Sequence, residues 1–283
     1  MTHQSMIRSI SILMTLLCLM SYGAMGQRVI TSKSELAAKL RERSAQHKAD
    51  TSQHQQRESS PSLQQNSELG NAQYYVAGEK PFGIGLESWT AQWWQWVTTI
   101  PAEANPLLDK TGEHAAVGQR GNVWFLAENT GGVNEREITI PANVTLFFPV
   151  FNAIYFQTPE EGEISEQEIR DLLTEFLSTT STLEVSLDHQ PLPREAIQHT
   201  QSNIFTTQFP ENNLFSDIGV PKGFYHPCAD EGYYVMLKPL SPGTHVLKIR
   251  GSDDFFSTYV EYYICVRPET ESSLSVTAAA RLQ

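Results

Sequence analysis

Three short stretches of this chain hold residue types that could transfer protons, bind a metal or support nucleophilic chemistry. Asp109, Glu113 and His114 fall within one six-residue window, so a single loop could bring two carboxylates and an imidazole together for acid/base work or metal ligation. None of the three has the spacing of a paired-His metal motif, and a solvated turn is the competing reading. His226-Pro227-Cys228, followed by Asp230 and Glu231, offers soft and hard ligands in close order. Zinc there would need Cys228 as a thiolate, which a disulfide would prevent. Asp253-Asp254 could give oxygen ligands to calcium but falls far short of a coordination shell. Asp109, His114, His226 and Asp230 are therefore the candidate catalytic residues, and no metal ion or cofactor is expected.

Other motifs exclude more than they suggest. No Gly-x-Ser-x-Gly marks a nucleophile elbow. With 32 acidic residues in the chain, a glycosidase carboxylate pair cannot be chosen without knowing separations in space. Asp109-Lys110-Thr111-Gly112 reproduces the tetrapeptide phosphorylated in P-type ion pumps, but this sequence shows neither their many transmembrane helices nor their nucleotide domain, so it reads as a turn. Gly83-Ile84-Gly85 lacks the βαβ context of a dinucleotide site.

The remaining chemistry is aromatic. All five tryptophans, Trp89, Trp93, Trp94, Trp96 and Trp124, lie within 36 residues. Such a cluster is either a folding core or a platform for a sugar or peptide. Trp89, Trp93, Trp96, Val97 and Ile100 recur at helical spacing and share one face, which predicts a helix over 88–100 ended by Pro101. That face is expected to be core. Trp94 lies about 100° round from Trp93 and is the expected ligand-binding indole; Trp124, in a dense apolar run, is expected in the core.

The elements that must position these residues are mostly strands. Residues 122–127, 137–140, 145–150, 183–187, 204–209, 233–237, 244–249 and 258–266 are short runs rich in β-branched or aromatic residues and bounded by Gly, Pro, Asn or Asp. Alternation of Leu183, Val185 and Leu187 with Glu184, Ser186 and Asp188 gives one dry and one wet face. These runs predict a mainly β domain over 71–268, an antiparallel sandwich of immunoglobulin-like or jelly-roll type with two helices, one Trp-rich. The second helix begins at a capping box, Ser165 with Glu168, and carries the stripe Ile169, Leu172, Leu173, Phe176 and Leu177. A hairpin is expected to turn at Ser241-Pro242-Gly243. Asp230-Glu231-Gly232-Tyr233-Tyr234 resembles a tyrosine corner, with Met236 where an antibody domain has cysteine.

Residues 1–26 have the layout of a secretory leader: Arg8, an apolar run over 10–20, then small residues. The run is too short for a bilayer span of ~20 residues, and no later segment is long enough. A secreted or periplasmic location is expected. Beyond the leader two cysteines remain, Cys228 and Cys265, whose even count in an oxidising compartment favours a disulfide over two buried thiols. Residues 27–70 are polar and nearly free of aromatics and read as a flexible tether; residues 269–283 read as a tail. From Asn71 onward there are 12 Lys/Arg and 27 Asp/Glu, a balance of −15. That charge disfavours nucleic acid and anionic membranes and leaves glycans, cations and proteins as partners.

The ordered string Trp93-Trp94-Gln95-Trp96, Ile100-Pro101, Gly118-Gln119 with Gly121, Val123-Trp124-Phe125-Leu126 and Phe147-Phe148-Pro149-Val150, continued by Gly232-Tyr233-Tyr234 and Pro239-Leu240-Ser241-Pro242-Gly243, is similar to a group of uncharacterised secreted bacterial proteins. The resemblance spans about residues 85–266 and implies a secreted domain of no stated activity. Members often carry cysteines where Ala115 and Ile138 stand, and glycine where Asn143 stands. The expectation drawn from all of this is a non-catalytic secreted or periplasmic domain that binds a glycan or a protein. The rivals are a secreted hydrolase with a loop-built acidic and histidine site, and a structural envelope protein.

Overall fold

A computed structural model describes residues 73–158, 162–254 and 256–268. The expected leader, tether and tail lie outside the described residues. The domain is mainly β, with two helices, α1 (Leu86–Thr99) and α2 (Glu166–Leu177). Its strands are β1 (Val123–Phe125), β2 (Gly132–Pro141), β3 (Thr145–Phe156), β4 (Thr182–Leu187), β5 (Gln190–Pro191), β6 (Gln198–Gln201), β7 (Phe205–Phe209), β8 (Gly223–Leu237), β9 (Gly243–Ser252) and β10 (Ser257–Arg267).

They form two five-stranded sheets. In the first the order is β1-β3-β8-β6, with β7 also paired to β8; in the second it is β2-β10-β9-β4-β5. Both sheets are mixed: β1 runs parallel to β3 and β2 parallel to β10, so the expected all-antiparallel arrangement does not hold. Sequence distance explains this, since β2 and β10 are joined through the whole domain and no short turn dictates their direction. The expected hairpin at Ser241-Pro242-Gly243 is also absent. β8 pairs with β3, β6 and β7 while β9 pairs with β10 and β4, so that turn carries the chain from one sheet to the other.

β3 and β8 are the centre of the molecule and are buried along almost their whole length. On one face Phe148, Val150, Val235 and Leu237 join Leu247, Ile249, Val260 and Ile264 of the second sheet in one apolar cluster. On the other, Phe147, Ile154, Tyr234 and Met236 pack under α1 with Trp93, Trp94 and Val97. The register jumps between Pro149 and Phe151. This irregularity puts Val150 and Phe151 on the same side, Val150 against the second sheet and Phe151 against α2. α2 keeps its capping box, with Ser165 Oγ accepting from the Glu168 amide. It lays Ile169, Leu173 and Leu177 on Phe151, Ala153 and Tyr155.

Asn143, in the turn before β3, has φ 65°, a left-handed conformation that asparagine and glycine tolerate better than other residues.

Candidate functional site

The orientation of α1 decides which aromatic rings can meet a ligand. Thr90, Trp93, Trp94, Val97 and Thr98 are each 0–2% exposed, whereas Trp89 and Trp96 are 7% exposed. At about 100° per residue the deepest arc is therefore centred between Trp93 and Trp94, not between Trp93 and Trp96. Two threonines lie on this deep arc. Thr98 Oγ1 bonds the Trp94 carbonyl at 2.6 Å and Thr207 Oγ1 of β7 at 2.6 Å, and Thr90 Oγ1 bonds the Glu87 carbonyl at 3.2 Å. Both hydroxyls are satisfied at home, so both residues can be buried. Trp94, the expected ligand-binding residue, is consequently core and meets no solvent. Trp89 and Trp96 are core as expected, each 7% exposed, and lie at its margin.

That margin is the wall of a groove of about 590 Å³, lined also by Phe82, Gln92, Gln95, Arg120, Asn122 and Phe125. Four rings run along it in sequence. Phe82 meets Trp89 edge to face (6.2 Å, 77°), Trp89 meets Phe125 (6.4 Å, 68°), and Phe125 meets Trp96 (5.5 Å, 44°). Phe82 is 52% exposed and is the most open of them. It sits at φ 58°, followed by Gly83 at φ 78°. A bulky residue there is an outlier, so the loop holds an aromatic ring at the groove's lip against a local backbone preference.

The opposite rim is the loop 117–122, held at three points. Trp96 Nε1 donates to the Val117 carbonyl at 2.9 Å. Gln119 acts as a surrogate strand for Phe125, its Oε1 accepting from the Phe125 amide at 2.9 Å and its Nε2 donating to the Phe125 carbonyl at 2.7 Å. Gly118 sits at φ +70°, a conformation L side chains rarely adopt, and an added Cβ would lie a tight 3.1 Å from the Trp96 ring. Of the motif string, Gln95, Trp96, Gly118, Gly121, Val123 and Phe125 line this groove, and Gln119 holds its rim.

The four candidate catalytic residues do not converge: among the described residues no side-chain-to-side-chain hydrogen bond joins any two of them, and Asp109 meets only the backbone amide of His114. Asp109 anchors a loop: its carboxylate accepts from the amides of Thr111, Gly112 and His114 at 2.8–3.1 Å. Burial raises its pKa, but the amides of His114, Thr111 and Gly112 and the Thr111 hydroxyl outweigh that and hold it below the usual carboxylate range. His114 contributes its backbone, not its ring, to this anchor. His226 is exposed, with Nδ1 beside Thr206 Oγ1 at 3.1 Å.

Asp230 lies under α1, fully buried. Tyr234 Oη donates to its Oδ2, and Asn152 Nδ2 donates to Tyr234 Oη at 2.8 Å. This is not a tyrosine corner: the hydroxyl bonds a side chain on the same strand, and Gly232 between them makes room for Asn152. Burial pushes Asp230 up to about 6, against the opposing pull of Tyr234, Thr90, Trp94 and Ser202. Trp94 Nε1 is near enough to favour the charged form, yet neither it nor Asp230 Oδ1 completes a hydrogen bond. Close by in charge terms is Glu128, which burial pushes up to about 8 although Arg136 opposes it. Arg136 spends its N–H groups on the carbonyls of Asp109, Ala127 and Glu128 and on Tyr262 Oη, so it cannot neutralise Glu128 directly.

The expected Cys228–Cys265 disulfide is not formed. Cys228 is fully buried under α1 in the first sheet, and Cys265 is exposed on β10 in the second. Burial pushes the Cys228 thiol up to about 12, which disfavours it as a metal thiolate as well. Among the described residues no group of three or more His, Cys, Asp or Glu side chains could hold a metal ion.

A second, larger cavity of about 820 Å³ runs along β6 and the segment 76–80. Its distinctive member is His199, whose Nε2 meets the buried Glu231 Oε1 at 2.9 Å while the ring stacks on Tyr233 at 4.8 Å. Thr174 and Gln201 complete the Glu231 carboxylate at 2.8 Å each. The arrangement could accept a proton, but the cavity is walled by charges of both signs, Glu79, Lys80, Glu87, Arg194 and Glu195, and carries no aromatic platform.

Sequence reading missed Phe82, Phe125, Gln92, Gln95, Arg120 and Asn122. The punctuation Pro81-Phe82-Gly83 and the glycines flanking Gln119-Arg120 were the available signals, since an aromatic or a cation between turn-formers is commonly presented to solvent.

No family model matches the chain, and no curated protein matches it. A solved structure, the "Structure of PbICP-C in complex with falcipain-2", overlaps 52% of this chain and 100% of its own at 12% identity, with a TM-score of 0.22. An overlap of that size carries no argument about this chain. No helix among the described residues is long and apolar enough to cross a membrane.

Proposed function

We propose that the chain is a secreted or periplasmic, non-catalytic β-sandwich protein that binds a glycan in the groove beside α1. The sandwich reading is supported by the apolar cluster shared between the two sheets; the parallel pairs β1–β3 and β2–β10 stand apart from a regular immunoglobulin-like or jelly-roll topology. The observation that carries the function is the continuous ring series Phe82–Trp89–Phe125–Trp96 in a groove whose other walls are Gln92, Gln95 and Asn122. Aromatic faces stack on the C–H faces of sugars, and amides both donate and accept, as hydroxyl-rich ligands require. The pinned rim keeps the groove formed without ligand, which lowers the ordering entropy of binding.

The test is a glycan array followed by titration calorimetry on Phe82→Ala. The expected result is retention of a defined glycan class, weakened about tenfold by the substitution, in line with loss of one aromatic anchor. A blank array, or undiminished affinity in the variant, overturns the reading. Hydrolysis of the retained glycan would instead favour a hydrolase. A blank array with unaltered fold would favour a structural envelope protein.

A further inference from the structure

We infer that the groove selects a glycan whose bound sugar carries a carboxylate, and that Arg120 is the residue that reads it. The inference rests on the glycan reading above and names its ligand class.

The groove is an electrostatic exception in an acidic protein. Of its lining residues Arg120 is the single charged one, and no Asp or Glu lines it. The β6 cavity, by contrast, presents Glu79, Glu87 and Glu195 against Lys80 and Arg194. Arg120 has no ion-pair or side-chain hydrogen-bond partner among the described residues, although the chain holds 32 acidic residues against 20 basic ones. Its backbone is nevertheless fixed. Gln119 is clamped to Phe125 on one side, and on the other a bridge joins Arg120 to Val123 across Gly121 at φ +72°. The result is a guanidinium on a rigid rim facing a neutral, amide-lined and aromatic wall. A planar fork with two parallel donors matches a carboxylate better than a hydroxyl. The blander reading is a solvated surface arginine. It predicts the same coordinates but no charge discrimination, so the ligand's charge is what must be varied.

The protein's overall negative charge repels an anion at long range, whereas Arg120 acts at contact. At about 0.15 M salt the Debye length is about 8 Å, which screens the former and leaves much of the latter. An exposed pair of this kind is worth up to about fivefold in affinity.

The experiment uses matched oligosaccharides: oligogalacturonate and oligomannuronate as free acids, and the same chains fully methyl-esterified, titrated into the full chain at about 0.15 M salt. The expected result is about fivefold tighter binding of a free acid than of its ester. The acid-to-ester ratio falls to about one in Arg120→Gln, and is intermediate in Arg120→Lys, which keeps charge but loses the fork. Equal affinity for acid and ester in the unmodified protein, or an acid preference that survives Arg120→Gln, overturns the inference and leaves the glycan reading standing. So does binding of neutral glycans with neither uronate form retained, or preference for a sulfated chain over both. Failure of every glycan to bind overturns both.

Discussion

The two faces of the β3–β8 pair are buried to the same degree and made of different material. Away from α1 the pair presents Phe148, Val150, Val235 and Leu237 to the second sheet, and the buried carboxylate on that side of β8, Glu231, is met by Thr174, Gln201 and His199. Toward α1 it presents Phe147, Tyr234 and Met236, but also Asp230 and Asn152, each with an oxygen that finds no hydrogen bond. An apolar face can be filled by any close packing of the right volume. A face carrying ionisable groups depends on pH and on how α1 is seated, and it is the face whose margin opens as the aromatic groove. The contrast separates a layer that holds the domain together from a layer that tolerates incomplete pairing beside the aromatic groove.

The strongest way to break the comparison is to open a hole in the dry face. Phe148 is 0% exposed, and Phe148→Ala is expected to destabilise by about 3–5 kcal/mol, measured by urea unfolding. A loss below about 1 kcal/mol would mean the two sheets are not mutually supporting.

The next effect belongs to the other face. Glu128 and Asp230 have folded pKa values raised from 4.5 to about 8 and from 3.8 to about 6. At these two sites the folded state keeps protons that the unfolded chain has released, so the stability they contribute is greatest below both intervals and falls as pH rises through them. Above pH 6.5 Asp230 has largely finished titrating and Glu128 dominates. Between about pH 6.5 and 8 Glu128 should account for a loss of about 2 kcal/mol, at up to about 1.4 kcal/mol per pH unit, and Glu128→Gln should remove most of the slope, leaving a remainder from His245, which Asp188 and the Ser241 carbonyl hold above its usual value. A parallel decline in the variant would assign the slope elsewhere.

Smaller still is the effect of Phe82→Ala on stability, expected within about 0.5 kcal/mol because the ring is half exposed and surface changes are usually that mild. Coupled with the tenfold binding loss above, it would separate groove from core; a large destabilisation would make Phe82 structural. The smallest effect is Cys265→Ser, which should leave the melting temperature unchanged with or without reductant. Thiol titration of protein lacking residues 1–26, and with them Cys18, should find one reactive thiol in the native state and two in denaturant, Cys228 being the hidden one. A reductant-dependent melting temperature would restore the disulfide.

Much of the framework was legible because local patterns act over a few residues. Each of the eight predicted runs lies in or overlaps an observed strand, and the capping box and stripe of α2 are where they were expected. β6 was missed because Gln198-His199-Thr200-Gln201 has no apolar alternation, being an edge strand held by β8. The far half of β3 was missed because Asn152 broke an apolar run, and its amide is satisfied only by Tyr234 from 82 residues away.

The site was less legible than the fold. The sequence by itself determined that α1 forms, that Pro101 ends it, that its tryptophans cluster, and that the domain is acidic and mainly β. These follow from periodicity, backbone restriction and composition, all properties of near neighbours. Only the tertiary structure decided which way α1 is turned: its deepest arc takes in Trp94 and carries two buried threonines, one bonded across to Thr207. Only it decided that Cys228 and Cys265 belong to different sheets and that an aromatic groove opens between α1 and the loop 117–122. Such outcomes depend on pairings between residues far apart in the chain, and helical phase or cysteine arithmetic carries no information about those.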